Sequence, residues 1–440
     1  MSKETIDNIF GDDGFRCKYG EKYLTKKFLI NFSKSLAQHY KKKYKNPKCI
    51  IGIDTRDTGL KIYKIISKEL LNLNIEVDFC GIIPSPGISY ILKKFNFHFG
   101  IMITASHNSF EDNGIKLFGS NGFKLNSKVE RNIENSIKNF LKKNEPKKID
   151  KMKAISFPIE NQVYREAYVE FLYSILKFDK IKKKIIIDCS NGASSYIISD
   201  LFKSHKNIMI VNNKPNGKNI NLNCGSLHPD KLQKLLIKEK YDFGLALDGD
   251  SDRCIFVDKN NGLIASEKIL FILLKMLSNS QSKKIVCSSE IVNKALEFNL
   301  IKEKYFLFQT IVGDRNVINE SKKKGAILGF EPSGHFYYPE LNNSMDGNLT
   351  IILILNYIIK NLNGVKKIYR LENYNRVVKN IPISNIDINL DMIRKKISKL
   401  KLLTHEKLLV RQSIWDPIYR IYYDYKDENR FQEIRKFILG

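Results

Sequence analysis

The chain reads FGIMITASHNSFEDNGIKLFG from Phe99 to Gly119. The apolar run at 99–104 predicts a strand that delivers Ser106 and His107 to a turn rich in Asn, Asp and Gly, and Lys116 follows this turn. A serine at a strand end beside basic and amide donors is suited to carrying phosphate, because those donors can bind the phosphate oxygens. A hydrolase nucleophile fits less well. That class needs glycine two residues before and after the serine, and neither position is glycine here.

A second apolar run, Phe243–Leu247, leads into three aspartates at alternate positions, Asp248, Asp250 and Asp252. Carboxylates this close repel one another unless a hard cation lies among their oxygens, so the pattern predicts a magnesium site. A calcium loop does not fit, because its sixth position should be Gly and its twelfth Glu, and this chain has Arg and Lys there. The plainer alternative is a solvated acidic turn. The position at a strand end, where ligand sites of α/β sheets are found, favours the metal.

A third motif, GFEPSGH at Gly329–His335, places a carboxylate, a hydroxyl and an imidazole in one short loop. Glu331 and Ser333 could bind sugar hydroxyls, and His335 could move a proton. Alone the motif is weak evidence, because a loop histidine is more often a surface group. Together with the serine and aspartate motifs it predicts a sugar-binding loop.

In this order, the three motifs resemble those of the α-D-phosphohexomutase superfamily, and the resemblance covers essentially the whole chain. Within the superfamily, the motifs are most similar to those of the bacterial phosphoglucosamine mutases. Further segments carry that likeness: Ile9–Arg16, Gly52–Arg56, Pro84–Pro86, and Pro215–Asn221 with Cys224–Ser226. The last is the most discriminating, because phosphomannomutases and phosphoglucomutases usually have a His- and Pro-rich segment there.

Alternating strand and helix patterns predict an α/β protein, and its 440 residues exceed what one hydrophobic core usually covers. The resemblance implies four domains around a central cleft, three similar α/β domains followed by a small α+β domain. We place the serine loop in 1–150, the aspartate loop in 151–257, the sugar loop in 258–364 and a phosphate-binding domain in 365–440. The basic, Pro-containing stretch Lys142–Lys153 is typical of a linker.

The resemblance also implies a reaction. Glucosamine 6-phosphate and glucosamine 1-phosphate are interconverted through a phosphoserine and a sugar bisphosphate, which supplies UDP-N-acetylglucosamine for cell-wall synthesis. A sugar 1,6-bisphosphate is the expected primer. Mg²⁺ is the expected metal, held by Ser106, Asp248, Asp250 and Asp252. The expected catalytic residues are Ser106, His107, Lys116, Arg16 and His335. The expected substrate-binding residues are Arg253, Glu331, Ser333, Arg411, Ser413 and Arg420.

The proton carrier stays open among Lys116, His107 and His335. We expect nearby cations, Arg253 and Arg16 among them, to lower the pKa of Lys116. A lysine with a lowered pKa could act as a base toward the sugar hydroxyl.

The phosphate loop departs most from the family pattern. Family members usually have Arg-x-Ser-Gly-Thr-Glu-Pro-x-x-Arg, and this chain has RQSIWDPIYR at Arg411–Arg420. Ile414 cannot adopt the positive φ that is open to glycine, and Trp415 adds bulk without an acceptor. We therefore expect a working but weakened phosphate grip, seen as a high KM; the alternative is that Trp415 packs at a domain interface. Smaller departures from the family pattern occur at Asp12, Cys17, Ser109 and Ser251.

Composition is consistent with a cytoplasmic enzyme. The seven cysteines form no Cys-x-x-Cys pair, which argues against a zinc ribbon or a disulfide framework. The longest apolar segment, Leu349–Ile359, is too short to span a bilayer and predicts a buried helix. The net charge of +27 is spread along the chain without a nucleic-acid motif. The expected partner is therefore a small phosphosugar rather than nucleic acid or membrane, and the expected state is a monomer or homodimer.

Three other functions remain alternatives. A phosphomannomutase or phosphoglucomutase would share the serine and metal loops and differ in its preferred sugar. A catalytically weakened paralogue would bind phosphosugars without turnover. A basic nucleic-acid-binding protein is the least favoured, and its affinity for DNA should fall steeply with salt.

Overall fold

The structure, a computed structural model, describes residues 9–11, 13–142, 158–178, 181–278, 284–361, 364–383, 390–412, 418–427, 429–430, 432 and 434. Within these ranges the chain forms four β-sheets with helices packed on them. The predicted linker at 142–153 and a helix expected at 431–439 lie almost entirely outside the described residues. None of the described helices is both long and apolar enough to cross a membrane.

The first domain follows the alternation that the sequence predicts. Its strands are β1 (Phe15–Lys18), β2 (Lys48–Ile53), β3 (Glu76–Ile82), β4 (Phe99–Ile103) and β5 (Asp112–Gly119), and its helices are α1 (Lys26–Lys41), α2 (Gly59–Asn72), α3 (Ser85–Lys94) and α4 (Ser127–Lys142). The sheet order is β1-β5-β4-β2-β3. β2 and β4 are buried along almost their whole length, because helices cover both faces of a parallel sheet.

The second domain repeats this pattern. Its strands are β6 (Ile185–Asp188), β7 (Ile208–Val211), β8 (Phe243–Leu247), β9 (Cys254–Asp258) and β10 (Gly262–Ile264), and its helices are α5 (Gln162–Ile175), α6 (Ser195–Phe202) and α7 (Pro229–Glu239). The sheet order is β10-β9-β8-β6-β7. Its core is continuous with that of the third domain, since buried residues of both belong to one hydrophobic cluster.

The third domain has four strands, β11 (Ile285–Ser289), β12 (Phe306–Thr310), β13 (Leu328–Glu331) and β14 (His335–Tyr337). Its helices are α8 (Ser266–Leu277), α9 (Ala295–Lys302), α10 (Asp314–Lys324), α11 (Gly347–Lys360) and α12 (Gly364–Tyr369). The sheet order is β12-β11-β13-β14. The apolar segment that predicts a buried helix forms most of α11, and its Leu and Ile side chains are buried in the shared core.

The three α/β sheets share one strand order, and this order positions the three motifs. Three parallel strands stand in the order β3-β2-β4, β7-β6-β8 and β12-β11-β13. The last strand of each set pairs with the antiparallel strand that follows it, which is β5, β9 or β14. The turn between these two strands carries the serine loop, the aspartate loop or the sugar loop. Each motif therefore occupies the same point of its own sheet.

The fourth domain is a small antiparallel sheet with one described helix. It consists of β15 (Asn375–Pro382), α13 (Leu390–Ser398), β16 (Lys407–Gln412) and β17 (Ile418–Tyr425), in the sheet order β15-β17-β16. The Asp424 carboxylate accepts a hydrogen bond from Arg376 Nη2 (2.8 Å) and another from the backbone N–H of Lys294 (2.8 Å). The bond from Lys294 attaches the sheet to the third domain, and the bond from Arg376 joins β15 to β17.

Candidate active site

Ser106 lies in the turn between β4 and β5 with a left-handed backbone, φ +50°, and its side chain is buried. A residue other than glycine keeps this conformation only where its surroundings fix it. The Ser106 N–H donates to Thr104 Oγ1 (2.9 Å), and the Ser106 hydroxyl donates to Asp248 Oδ2 (2.7 Å). His107 Nδ1 lies 3.5 Å from the same hydroxyl. The serine of the first domain therefore faces the aspartate loop of the second.

Arg56, to which sequence reasoning gave no role, holds the serine loop in shape. Its buried guanidinium donates to four backbone carbonyl oxygens of this loop, those of Ser106, Asn108, Ser109 and Asp112. Its Nε donates to Asp54 Oδ2 (2.9 Å), and the same carboxylate oxygen accepts from Thr104 Oγ1 (2.6 Å). Arginine can do this because its planar fork presents several fixed donors at once. The signal in the sequence was the Asp-Thr-Arg triplet at the end of β2.

The discriminating segment Pro215–Asn221 also contacts the serine loop. Asn221 Nδ2 donates to the carbonyl oxygens of Ser106 (2.8 Å) and Asn108 (3.0 Å), which are two of the oxygens that Arg56 binds. Gly249 lies so close that an added Cβ would come within 2.5 Å of the Ser106 carbonyl oxygen. The second domain can therefore pack this closely against the serine loop only with a small residue at 249.

Asp248, Asp250 and Asp252 are buried, and each offers one carboxylate oxygen within 4.8 Å of the others. Asp250 Oδ1 is buried without a hydrogen-bond partner among the described residues. Burial, Asp252 and Asp250 together raise the pKa of Asp248 to about 7. Crowded hard oxygens, one of them unpartnered, fit a divalent cation such as Mg²⁺. Ser251, between the ligands, has φ +59°, the conformation for which glycine is best suited.

Lys116 lies against the aspartate loop. Its Nζ is 2.7 Å from Asp250 Oδ2, 2.9 Å from Asp252 Oδ2 and 2.9 Å from Asp13 Oδ2. Burial acts to lower the pKa of Lys116, but these three carboxylates hold it well above its usual value. The expectation that cations lower this pKa is therefore wrong, because the carboxylates outweigh the opposing effect of Arg16. A protonated Lys116 supplies positive charge and a proton donor.

His335 joins the sugar loop to the aspartate loop. Its Nε2 lies 3.2 Å from Asp252 Oδ1, and its Nδ1 lies 2.9 Å from Ser333 Oγ and 3.4 Å from Glu331 Oε2. Burial and Arg253 act to lower the pKa of His335, but Asp252 and Glu331 outweigh them and raise it to about 9. The His335 imidazole is therefore positively charged at neutral pH.

His107 has the opposite surroundings. Burial, Arg253 and Arg16 lower its pKa to about 3, so its imidazole is neutral at pH 7. Arg16 donates to Asp13 Oδ2 (2.5 Å) and to Asn108 Oδ1 (3.4 Å). Arg16 thus borders the serine loop, and His107 is the neutral histidine beside Ser106.

The structure brings most of the predicted site residues together and places the others elsewhere. Serine, aspartate and sugar loops meet through Ser106, Asp248, Asp252 and His335, as described above. Arg411 and Arg420 lie instead directly opposite each other on β16 and β17 of the fourth domain. Arg411 Nε is buried and has no hydrogen-bond partner among the described residues, and Arg420 Nε donates to Asn380 Oδ1 (2.9 Å). Four residues that the sequence analysis singled out lie outside the described part of the chain: Asp12, Ser413, Ile414 and Trp415.

Two like charges opposite each other on neighbouring strands destabilise a sheet unless an anion or an acidic group lies between them. The arrangement of Arg411 and Arg420 is therefore suited to a phosphate. The expected consequence of Ile414 and Trp415 for the phosphate grip stays a prediction.

Comparison with known proteins gives consistent matches along the chain. Family models of the phosphoglucomutase/phosphomannomutase α/β/α domains I, II and III match residues 7–144, 166–262 and 265–374. The phosphoglucosamine mutase of Clostridium kluyveri is 31% identical over 454 residues, which covers 98% of this chain and 97% of that protein.

Solved structures match with the same fold. A phosphoglucomutase/phosphomannomutase family protein from Burkholderia thailandensis superposes with a TM-score of 0.80 at 18% identity, covering 97% of this chain and 95% of that one. The N-acetylphosphoglucosamine mutase of Aspergillus fumigatus, in complex with GlcNAc-6P and magnesium, matches with a TM-score of 0.61 at 14% identity, covering 100% and 96%. Its complex with glucose 1,6-bisphosphate matches equally, covering 99% and 95%.

Proposed function

The chain belongs to the phosphoglucomutase/phosphomannomutase family, and we propose that it interconverts glucosamine 6-phosphate and glucosamine 1-phosphate. It is an isomerase, a phosphosugar mutase. The observation that carries the proposal is the Ser106 hydroxyl, bonded to one member of a buried aspartate triad that Lys116 also contacts. The glucosamine preference is supported by the curated relative and by the contact of Asn221 with the serine loop.

We propose Ser106 as the phosphate carrier. The phosphoryl group moves from Ser106 Oγ to the free hydroxyl oxygen of the sugar monophosphate, so that one P–O bond breaks, another forms and a sugar bisphosphate results. The bisphosphate turns round, and its other phosphoryl group returns to Ser106 Oγ. Such transfer depends on alignment and on charge neutralisation more than on covalent help, which is why a serine fixed by Arg56 and Asn221 suits it.

We propose Mg²⁺ as the metal, held by Asp248, Asp250, Asp252 and an oxygen of phosphorylated Ser106. The unpartnered Asp250 Oδ1 supports this, since a buried carboxylate oxygen without a donor fits a hard cation. When bound, Mg²⁺ neutralises charge on the transferring phosphoryl group. A sugar 1,6-bisphosphate is the proposed primer, in keeping with the ligand of the Aspergillus relative.

The remaining site residues have different proposed roles, which follow from their charges. Lys116 and Arg16 supply positive charge to the phosphoryl group, and neutral His107 is the proposed acceptor of the sugar hydroxyl proton. Glu331 and Ser333 are proposed to hold the sugar hydroxyls, with cationic His335 and Arg253 beside them. Arg411, Ser413 and Arg420 are proposed to hold the phosphate that is not transferred.

Domain limits and cellular setting are also proposals. The limits predicted from the sequence are 1–150, 151–257, 258–364 and 365–440. Because β10 pairs with β9, we propose that the second domain extends beyond 257 to Ile264 and that the third begins after it. A reducing cytoplasm suits the seven free cysteines. The proposed state is a monomer or homodimer.

The test is a comparison of kcat/KM on glucosamine, mannose and glucose 1-phosphates, with magnesium and a trace of the matching sugar bisphosphate. We expect glucosamine 1-phosphate to be turned over most efficiently. A higher kcat/KM on mannose or glucose 1-phosphate would identify a phosphomannomutase or phosphoglucomutase instead. Binding of all three sugars without turnover would identify a phosphosugar-binding paralogue.

A further inference from the structure

A row of buried charges of alternating sign runs from the third domain to the aspartate loop. Lys124, just after β5, is paired through its Nζ with Asp13 on one side and with Asp314, the first residue of α10, on the other. Asp13 Oδ2 lies 2.9 Å from Lys116 Nζ, and Lys116 Nζ lies 2.7 Å from Asp250 Oδ2. The row therefore joins three domains in the order third, first and second.

The two carboxylate oxygens of Asp13 bind different partners. Lys124 binds Oδ1 of Asp13, and Lys116 and Arg16 share Oδ2. The Lys124 and Asp314 side chains are only 6% and 8% exposed, so neither charge has water to replace a lost partner. If Lys124 released Oδ1, the Asp13 carboxylate could rotate and take Lys116 with it.

We infer that Lys124 and Asp314 are positioning residues, which hold Asp13 so that Lys116 stays against Asp250 and Asp252. The inference rests on the proposed function, because it assigns Lys116 to phosphoryl transfer. It adds that the third domain, through Asp314, determines where the Lys116 ammonium group lies in the first domain.

The sugar loop is connected to the same row. Glu331 Oε1, proposed to hold a sugar hydroxyl, accepts a hydrogen bond from the backbone N–H of Gly313 (3.1 Å). Gly313 immediately precedes Asp314 and has φ +128°, which only glycine adopts without strain. Glu331 is therefore connected through Gly313 to Asp314 and from there to Lys124.

A second ion pair at the same interface supplies a matched control. Arg315, the next residue of α10, makes a two-pronged pair with Glu130 of α4 at 2.7 and 2.8 Å. Their side chains are 14% and 5% exposed, so this pair is also largely buried. It joins the same two domains without contacting Asp13 directly. If the Lys124–Asp314 pair served only to join the domains, the two pairs would behave alike.

The experiment compares Lys124→Met, Asp314→Asn, the double variant of these two, and the control double variant Arg315→Met with Glu130→Gln. Thermal stability, kcat and KM for the sugar phosphate are measured for each. Lys124→Met is expected to lower kcat about tenfold or more with little change in KM, because the transferring group is bound but Lys116 is misplaced. Asp314→Asn should also lower kcat, because Lys124 then loses its carboxylate partner in the third domain.

The double variants separate positioning from simple structural support. Lys124→Met with Asp314→Asn leaves no unpaired buried charge between them, so it should regain stability relative to Lys124→Met alone while kcat stays low. The control double variant should lower stability and leave kcat within about twofold of wild type. Recovery of kcat in the first double variant, or an equal loss of kcat in the control, would overturn the inference. A wild-type protein without turnover in this assay would refute the proposed function, and the inference with it.

Discussion

The serine loop and the arginine pair of the fourth domain are both assigned to phosphate, yet the protein builds them in opposite ways. At the serine loop, Arg56 and Asn221 occupy the backbone carbonyl oxygens, and Ser106 is 1% exposed. At the arginine pair, Arg411 and Arg420 face each other, and Arg411 Nε has no hydrogen-bond partner within the part of the chain that the structure describes. The protein's own contacts fix the first site, whereas the second pairs two like charges, for which we propose a phosphate as the partner.

This difference follows from what each site must do. Phosphoryl transfer requires one fixed alignment of the reacting atoms, so a prearranged loop lowers the barrier. In the proposed reaction, the arginine pair binds one phosphate, releases it and binds the other when the bisphosphate turns round. Two facing like charges suit that exchange, because they gain most when an anion lies between them.

The largest expected effect comes from removing the carrier. Ser106→Ala should reduce mutase kcat about a thousandfold or more, because it removes the hydroxyl oxygen that is proposed to carry the phosphoryl group. Steady-state kinetics check this. Ser109→Ala in the same loop is the control, and it should retain activity because Arg56 binds the backbone carbonyl of Ser109 and not its side chain. A fully active Ser106→Ala protein would show that Ser106 is not the phosphate carrier, and the contrast between the serine loop and the arginine pair would then have no basis.

The next effect concerns the metal. Asp250→Asn should lower activity strongly and raise the magnesium concentration needed, since it weakens a charged ligand with a buried, unpartnered oxygen. Chelation of the wild-type protein should abolish turnover, and added magnesium should restore it. Full activity in protein shown by elemental analysis to hold no metal would make the aspartate loop structural.

A smaller effect is expected from loosening the serine loop. Arg56→Lys keeps the charge but loses the fork that binds four carbonyl oxygens, so kcat should fall about tenfold to a hundredfold, with a lower melting temperature. Arg315→Lys, at another buried ion pair, should lower the melting temperature and leave kcat nearly unchanged. Equal kcat in the two variants would mean that the loop keeps its shape without Arg56.

The smallest effect is expected at the arginine pair. Arg411→Met should raise KM about tenfold and change kcat much less, since the remaining arginine still binds the phosphate and the reacting atoms are elsewhere. Kinetics on both sugar phosphates would check this, because either one places a phosphate in the fourth domain. A loss confined to kcat would assign Arg411 to the transfer step and contradict the contrast between the two sites.

Much of the fold could be predicted because its elements follow from local patterns. The apolar run Phe243–Leu247 is β8 with the same limits, and Ser127–Lys142 is α4 with the same limits. The sequence pattern from Gln162 to Lys177 also predicts a helix, but the helix ends at Ile175. Helix ends depend on local caps and so vary by a residue or two. The shared strand order of the three domains could not be predicted, because it depends on pairings that leave no motif in the sequence.

The candidate site was predicted in composition but not in its internal contacts. Residue types and spacing single out Ser106, the aspartates and His335. The role of Arg56 was missed because it acts on a loop that lies 50 residues away along the chain. The pKa of Lys116 was predicted in the wrong direction for a similar reason, since its carboxylate partner Asp250 lies 134 residues away. Long-range partners decide both properties, and only the fold supplies them.

The central claim is that Ser106 carries the phosphoryl group in turnover. The most direct measurement is intact mass and peptide mapping of the purified protein before and after addition of excess glucosamine 6-phosphate. We expect a fraction heavier by one phosphate, located on Ser106, that is lost on mixing as sugar bisphosphate appears. Active protein whose phosphate is on another residue, or that turns over without ever carrying phosphate on Ser106, would contradict the account.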